Sequence, residues 1–308
     1  MIELKNVTKK YGDFKALDDI SFKIEKGEIV GFLGKNGAGK STTLKIIAGI
    51  LEPTEGTVLI NGEKYNKKNK IKIGYMAENA PLYEGLTVRE FIDFMGEMRG
   101  IRKRERKIQV NELIEKLSLK DAEKKLIKNL SKGYRQRASL AGALIGNPEI
   151  LILDEPSIGL DPKQIIEFRE LIKSLKEKYT VIMSSHILTE VSQICERVII
   201  IEGGKILAID TPEKLEKEAS KNIIDIVAEP ADEKVFKLKD EISGIISIQK
   251  IGKGTKKEQT YRITVNDRDD IRGRIIEVSP KLDIKIIELK KNISTLEDVF
   301  MNLVDEED

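Results

Sequence analysis

GKNGAGKS, residues 34–41, lies between a short apolar run, Glu28–Leu33, and a segment with helical periodicity, Lys40–Ile50. Its spacing is Gly, four residues, then Gly-Lys-Ser. Glycines let a backbone wrap closely, so successive N–H groups and the start of the next helix converge on one point, which suits an anion. Lys40 is then placed to reach the outer phosphates of a nucleotide, and the Ser41 hydroxyl to bind Mg²⁺. A chance glycine-rich turn would need neither the strand before it nor the helix after it. Gly34, Lys35, Asn36, Gly37, Ala38, Gly39, Lys40, Ser41 and Thr42 therefore read as a phosphate-binding loop in an α/β core.

A second stretch supports this reading. Ile150-Leu151-Ile152-Leu153-Asp154-Glu155 is an apolar run ending in a pair of carboxylates. A fully buried parallel strand has this pattern, and ligands of such sheets sit at the carboxyl ends of the strands. Asp154 can there hold Mg²⁺ through its water shell, and Glu155 can polarise an attacking water. The single histidine, His186, follows the apolar strand Thr180–Ser184 at the same edge, so a phosphate contact is available to it. A structural hydrogen-bonding role is the competing reading. Tyr11, at the turn of the first predicted hairpin, suits either turn packing or stacking on an adenine.

Composition excludes several classes. The 308 residues carry 54 Lys+Arg against 52 Asp+Glu, so bulk charge selects no polyanionic partner. Basic clusters at Lys64–Lys70 and Arg102–Lys107 lack interleaved aromatics, and no nucleic-acid partner is expected. Cys195 is the only cysteine, which leaves neither a disulfide framework nor a thiolate metal cluster. It lies on the apolar side of Ile187–Glu196 with Leu188 and Val191, as a packing thiol. The opening residues lack a signal-peptide core, and no apolar run reaches the ~18 residues a membrane span needs. A cytoplasmic protein is expected, with any membrane spans supplied by another chain.

Around these motifs the chain separates into two domains. Period-two alternation over Ile2–Val7 and Ile20–Ile24 predicts antiparallel strands. A charged, mostly helical insertion spans residues 85–147, with helices at Val88–Arg99 and Ile108–Leu117. Strand-helix alternation resumes with Ile150–Leu153, Lys163–Lys178, Val181–Ser184 and Val198–Ile201, completing a domain over residues 1–215. After a charged linker or linking helix at Leu215–Lys221, residues 222–308 read as strand (Asn222–Ala228), helix (Asp232–Asp240), hairpin (Ile245–Ile251, Thr260–Val265), helix (Asp269–Val278), strand (Asp283–Leu289) and a closing helix (Thr295–Val304). The βαββαβ order predicts a smaller α+β, ferredoxin-like domain.

Taken in order, these residues resemble the ATP-binding cassette (ABC) ATPases over about residues 1–215. The aromatic loop is Tyr11, the phosphate loop is 34–42, and the Q-loop is Ile73-Gly74-Tyr75-Met76-Ala77-Glu78. The signature is Leu130-Ser131-Lys132-Gly133-Tyr134, followed by Asp154-Glu155, the D-loop Gly159-Leu160-Asp161-Pro162, and the H-loop His186. The resemblance implies ATP hydrolysis with Mg²⁺, Glu155 as general base and His186 on the γ-phosphate. Ser131 caps the helix running to about Ile145, and the Gly133 N–H helps form an anion site. In ABC proteins that site meets the nucleotide held by a second subunit, which places Ser131, Gly133 and Asp161 at a shared ATP site. Gly133 would be glycine because a side chain there would collide with the nucleotide.

Two departures from the common pattern stand out: Glu78 replaces Gln in the Q-loop, and the signature reads LSKGY rather than LSGGQ. Glu78 can still ligate Mg²⁺ but adds negative charge near the γ-phosphate. Both features, with the C-terminal Ser294-Thr295-Leu296-Glu297-Asp298-Val299-Phe300, resemble the single-cassette exporter branch that includes drug-, antibiotic- and gliding-type transporters. That branch implies a homodimer, or a heterodimer with a similar cassette, working with a separate integral-membrane permease at the inner face of the cell membrane. Residues Glu78 to Arg99 are the candidate permease-facing surface. Two other readings are a soluble ABC ATPase acting on ribosomes or nucleic acid, and a scaffold that binds ATP without turnover. Neither long heptad arms nor an iron–sulfur insertion supports the former, and Glu155 with His186 argues against the latter.

Overall fold

Alternation in the opening segment folds as a long hairpin, β1 (Ile2–Tyr11) with β2 (Phe14–Ile24), which buries Ile2, Leu4, Val7, Leu17, Ile20 and Ile24 on one face. β4 (Glu55–Ile60) pairs with the other edge of β1, and the two-residue β5 (Glu63–Lys64) completes a four-stranded sheet in the order β2-β1-β4-β5. The computed structural model describes residues 1–308 except 66–71, 81, 220–222, 230–232, 253, 256, 266–270, 292–295 and 306–308. Most of the basic cluster Lys64–Lys70 lies outside the described residues. The chain divides into two compact units, Met1–Pro212 and Glu213–Asp308.

The second sheet of the first unit has the order β10-β9-β3-β8-β7-β6. β3 (Ile29–Leu33), β7 (Ile150–Asp154) and β8 (Thr180–Ser185) are buried at every position, which is why their sequences run apolar instead of alternating. β6 (Ile73–Met76) and β9 (Arg197–Glu202) also run parallel, and β10 (Lys205–Asp210) closes one edge antiparallel. In register, Leu33 pairs Ser185, and Asp154 pairs Ser184. The glycine-rich loop after β3, the carboxylate pair after β7 and the histidine after β8 therefore leave one edge of one sheet, side by side. Phe32, Leu44, Ile152 and Ile182 join Ile2, Leu4 and Val7 in a shared core, so the hairpin sheet packs against the face that carries the first helix, α1 (Lys40–Ile47).

The helical insertion contains α2 (Val88–Met98), α3 (Lys103–Lys116) and α4 (Lys132–Leu144). α2 starts with a full capping box between Thr87 and Glu90. α3 begins five residues before the predicted start at Ile108. Its core-facing positions include Arg106, which donates to Asp93 at 2.7 Å, and Gln109, whose side chain accepts from the Gly146 N–H. Polar residues on the buried side blunt the apolar period on which the prediction relied.

After β7 the chain forms α5 (Pro162–Lys173), shorter than the predicted Lys163–Lys178, then α6 (Leu188–Ile194). Cys195 lies just past the end of α6 and is buried against Gly31, where a Cβ would come within 2.8 Å of its sulfur. Burial pushes the thiol pKa well above its ordinary value.

In the second unit, the predicted linker overlaps helix α7 (Pro212–Ala219). β11 (Ile223–Glu229), β12 (Ile245–Ile251), β13 (Gln259–Val265) and β14 (Lys285–Lys291) form an antiparallel sheet in the order β12-β13-β11-β14, the order of a split βαβ fold. The predicted helix Asp232–Asp240 is instead a 3-10 turn, Glu233–Lys237, running into the short α8 (Leu238–Glu241). α9 (Arg272–Val278) begins later than predicted. Ile226, Ile263, Tyr261, Val235 and Ile275 centre a core separate from that of the first unit. α10 (Leu296–Asp305) closes the chain with Leu296, Val299 and Phe300 buried, while Ser294 and Thr295 lie outside the described residues.

Candidate active site

The loop after β3 and the N-terminus of α1 form one wall of an open cleft of about 330 Å³. Lys35, Asn36, Gly37, Gly39, Lys40, Ser41 and Thr42 line it, facing Glu78, Glu155, Ile158 and His186. Gly39 stands at the N-cap of α1 with φ +111°, a region L side chains rarely adopt, and a Cβ there would strike the Ala16 carbonyl and Leu17. Only glycine lets the chain turn sharply enough to aim the helix start into the cleft. Lys40 is 6% exposed and donates to the Gly34 and Lys35 carbonyls, at 2.6 and 3.1 Å. Its ammonium is thus held over the loop it belongs to.

Opposite this wall the ends of β7 and β8 are cross-wired. Asp154 accepts from Ser41 Oγ at 3.0 Å and Ser184 Oγ at 2.7 Å through one oxygen, and from Tyr75 OH at 3.2 Å through the other. Burial, and then the Asp154 carboxylate, push the Tyr75 phenol above its ordinary pKa, so it stays a donor at neutral pH. The Glu155 N–H donates to Ser184 Oγ at 3.0 Å, and its side chain spans the cleft floor. Glu155 Oε1 lies 3.7 Å from Lys40 Nζ, and Oε2 is 2.7 Å from His186 Nδ1. Glu155 takes φ +48°, unusual for a residue with a Cβ. The site thus holds a carboxylate in hydrogen-bond contact with an imidazole and within ion-pair reach of an ammonium, beside the glycine-rich loop.

Other residues singled out from the sequence lie elsewhere. Tyr11 is exposed at the end of β1, under the Lys9 ammonium at 5.2 Å, and does not line the cleft. Ser131 and Gly133 line a different crevice, with Tyr134, Arg137, Gln164 and Glu167. Ser131 occupies the N-cap position of α4 in extended conformation, as predicted, but its hydroxyl makes no capping hydrogen bond. Gly133 has a close neighbour within its own chain, since a Cβ would come within 3.0 Å of the Gln164 side chain. Asp161 caps α5 by accepting from the Gln164 N–H at 2.9 Å and lines neither crevice.

Glu78 lines both the main cleft and a second crevice, whose other wall carries Lys132, Arg135 and Gln136 of α4. Lys132 lies along Gly159, where any Cβ would meet its ammonium and stem. The two departures at Glu78 and Lys132 therefore share one crevice, an acid on one wall and a base on the other. Tyr75 stands in the predicted Q-loop stretch and Ser184 at the end of a predicted strand, but neither reads as a site residue from the sequence; Tyr75 pairs Ile152 in register and reaches Asp154 only through its hydroxyl.

Comparison with known proteins agrees with this geometry. The family model described as ABC transporter matches residues 17–158. The chain is 34% identical over 311 residues to the bacitracin transport ATP-binding protein BcrA of Bacillus licheniformis, covering 99% of this chain and 97% of that protein. It is 34% identical over 246 residues to the uncharacterized ABC transporter ATP-binding protein YxlF of Bacillus subtilis, covering 80% and 83% of the two chains. A solved ATP-binding subunit of an ABC transporter superposes with TM-score 0.64 at 30% identity, over 71% of this chain and 92% of that one. The dimeric cassette MJ0796, bound to ADP and Pi, superposes with TM-score 0.63 at 30% identity, over 68% and 98%. With a glycine-rich loop, adjacent carboxylates and a histidine converging on one edge of the sheet, and relatives alike over nearly the whole chain, this protein belongs to the ABC transporter family as an ATP-binding subunit and ATPase.

Proposed function

We propose that this ATPase drives an exporter: two copies, or one copy and a similar cassette, close over two ATP molecules and move a separate integral-membrane permease from the cytoplasmic face. The contact between Glu155 and His186 at the floor of the cleft, 2.7 Å, carries the mechanistic reading. Glu155 acts as general base toward water, and His186, with Nδ1 held by Glu155, offers Nε2 to the γ-phosphate. Lys40 leaves the loop carbonyls for the β- and γ-phosphates, while the cradle N–H groups from Gly34 to Thr42 hold the phosphate chain. Tyr11 stacks on the adenine. Ser131, Gly133 and Asp161 act on the nucleotide of the partner copy, because in their own chain they lie outside the cleft.

The donor set suits Mg²⁺. Ser41 Oγ, Asp154 and Glu78 offer oxygen only, and no cluster of three His, Cys, Asp or Glu capable of caging a metal occurs among the described residues. Mg²⁺ favours one or two carboxylates completed by water and substrate phosphates. When bound with ATP it would neutralise phosphate charge, with Ser41 and Asp154 holding it.

Residues 1–215 would form the catalytic domain, with residues 85–147 as its helical subdomain and Glu78 to Arg99 as the permease-facing surface, and residues 222–308 an accessory domain. The family name of BcrA, a bacitracin transport protein, and the likeness over the full length favour export over action on ribosomes or nucleic acid. Among the described residues no helix is long and apolar enough to cross a membrane, which fits spans on a separate chain. Dilution tests the dimer requirement: ATPase activity per mole should fall as the chain is diluted through the dimer dissociation range. A flat profile refutes the shared site.

A further inference from the structure

Helix α6 carries a carboxylate that the reading above does not use. Glu190, four residues after His186, is 4% exposed. A carboxylate at that depth is costly unless its oxygens are hydrogen-bonded. Its Oε2 accepts from Ser157 Oγ at 2.5 Å and from Ser185 Oγ at 3.2 Å. Ser157 stands two residues after Glu155, and Ser185 immediately precedes His186. The Ser185 oxygen also accepts from the Ile187 N–H at 2.9 Å, which fixes the backbone just beyond the histidine.

The other carboxylate oxygen, Oε1, is buried without a hydrogen-bond partner, as is Nε of Arg169 on α5. Both residues line one small crevice together with Ser157. Arg169 and Glu190 line that crevice without an ion pair between them, so the two serine hydroxyls on Oε2 are what hold the carboxylate in place.

The segments after β7 and β8 are therefore joined twice. On the cleft side Glu155 meets His186 directly. Behind the cleft, Glu190 gathers the residues flanking both. Displacing a reacting group by about 1 Å can cost two orders of magnitude in rate, so a clamp on both flanks bears directly on the 2.7 Å contact. We propose that Glu190 is a positioning residue that holds the Glu155 and His186 loops in register through Ser157 and Ser185.

The proposal rests on the reading of Glu155 and His186 as the groups at the γ-phosphate, so Glu155→Gln is measured alongside. The experiment is steady-state ATP hydrolysis by the full chain, per mole of folded protein, with ATP-dependent dimerisation followed on a sizing column. Glu190→Gln keeps the shape and removes the charge. It should lower kcat about 10-fold with KM for ATP within about twofold and dimerisation retained. Ser157→Ala and Ser185→Ala should each lower kcat about threefold, and adding Ser157→Ala to Glu190→Gln should cost no more than Glu190→Gln alone, because both cut the same link. A folded Glu190→Gln or Ser157→Ala chain that keeps the parental kcat overturns the proposal. If Glu190→Gln does not fold, the two serine variants decide it. If Glu155→Gln still hydrolyses ATP, the underlying reading falls and the positioning role falls with it; if Glu155→Gln is inactive while the Glu190 and serine variants are not, only the positioning role fails.

Discussion

Two crevices of the catalytic unit, the main cleft and that of Ser131 and Gly133, differ in how the groups at their centres are tied within the chain. In the main cleft Lys40, Ser41, Tyr75, Asp154, Glu155, Ser184 and His186 each have a partner at hydrogen-bond or ion-pair distance. In the crevice of Ser131 and Gly133, Arg137 and Glu167 pair at 2.8 Å on the wall, but at the helix start the capping hydroxyl has no helix N–H as its partner and the glycine lies against Gln164. One half is assembled by its own fold. The other presents a helix start with little of its own to hold, as expected of a surface that acts on a second molecule.

The largest effects should separate the two crevices. Lys40→Ala should remove nucleotide binding, lowering affinity for ATP by about 100-fold or more, measured on the isolated chain. Gly133→Val should leave ATP binding to the isolated chain within about twofold yet cut hydrolysis by a similar 100-fold. Mixing the two inactive variants should restore activity, since a mixed pair pairs the intact loop of one copy with the intact signature of the other. No recovery on mixing would mean that both crevices serve one chain.

A sharper test concerns why residue 133 is glycine. Gly133→Ala should lower kcat about 10-fold, and Gln164→Ala should not rescue it, although it removes the crowding within the chain. Rescue would make the glycine a matter of internal packing and weaken the contrast between the crevices.

Smaller effects are expected at Lys132 and Cys195. Lys132→Ala should cost roughly 0.5–1 kcal/mol in stability through lost packing of its stem on Gly159, read from the denaturation midpoint. Cys195 should resist a thiol reagent in the folded chain and react fully in denaturant. Its raised pKa means the folded state retains a proton that the unfolded chain releases above the ordinary value of 9.0. Stability should therefore fall as pH rises past that value and be unaffected below it.

Much of the catalytic unit was legible because its signals are local. GKNGAGKS fixes a turn, and the apolar runs ending at Asp154 and near His186 mark buried parallel strands whose ends must meet ligand. α3 was read short because Arg106 and Gln109 occupy core positions, and a hydrophobic period cannot register a buried arginine that is satisfied by Asp93. Tyr75, Ser184 and Glu190 were not legible as site residues, since their roles depend on which strands and helices become neighbours. Glu190 sits on a short helix whose sequence, LTEVSQI, reads as an ordinary amphipathic turn. Only the placement of α6 behind both loops gives its carboxylate a purpose.

The left-handed backbone at Glu155 has a practical consequence for anyone improving this protein. A side-chain-bearing residue at φ +48° forgoes about 1 kcal/mol that glycine would recover. Glu155→Gly would relax that backbone but leave the buried Lys40 ammonium without its carboxylate and His186 without its partner. Relief and loss fall on the same residue, so a thermal screen alone would not reward the change, and any variant there must also be scored on released phosphate.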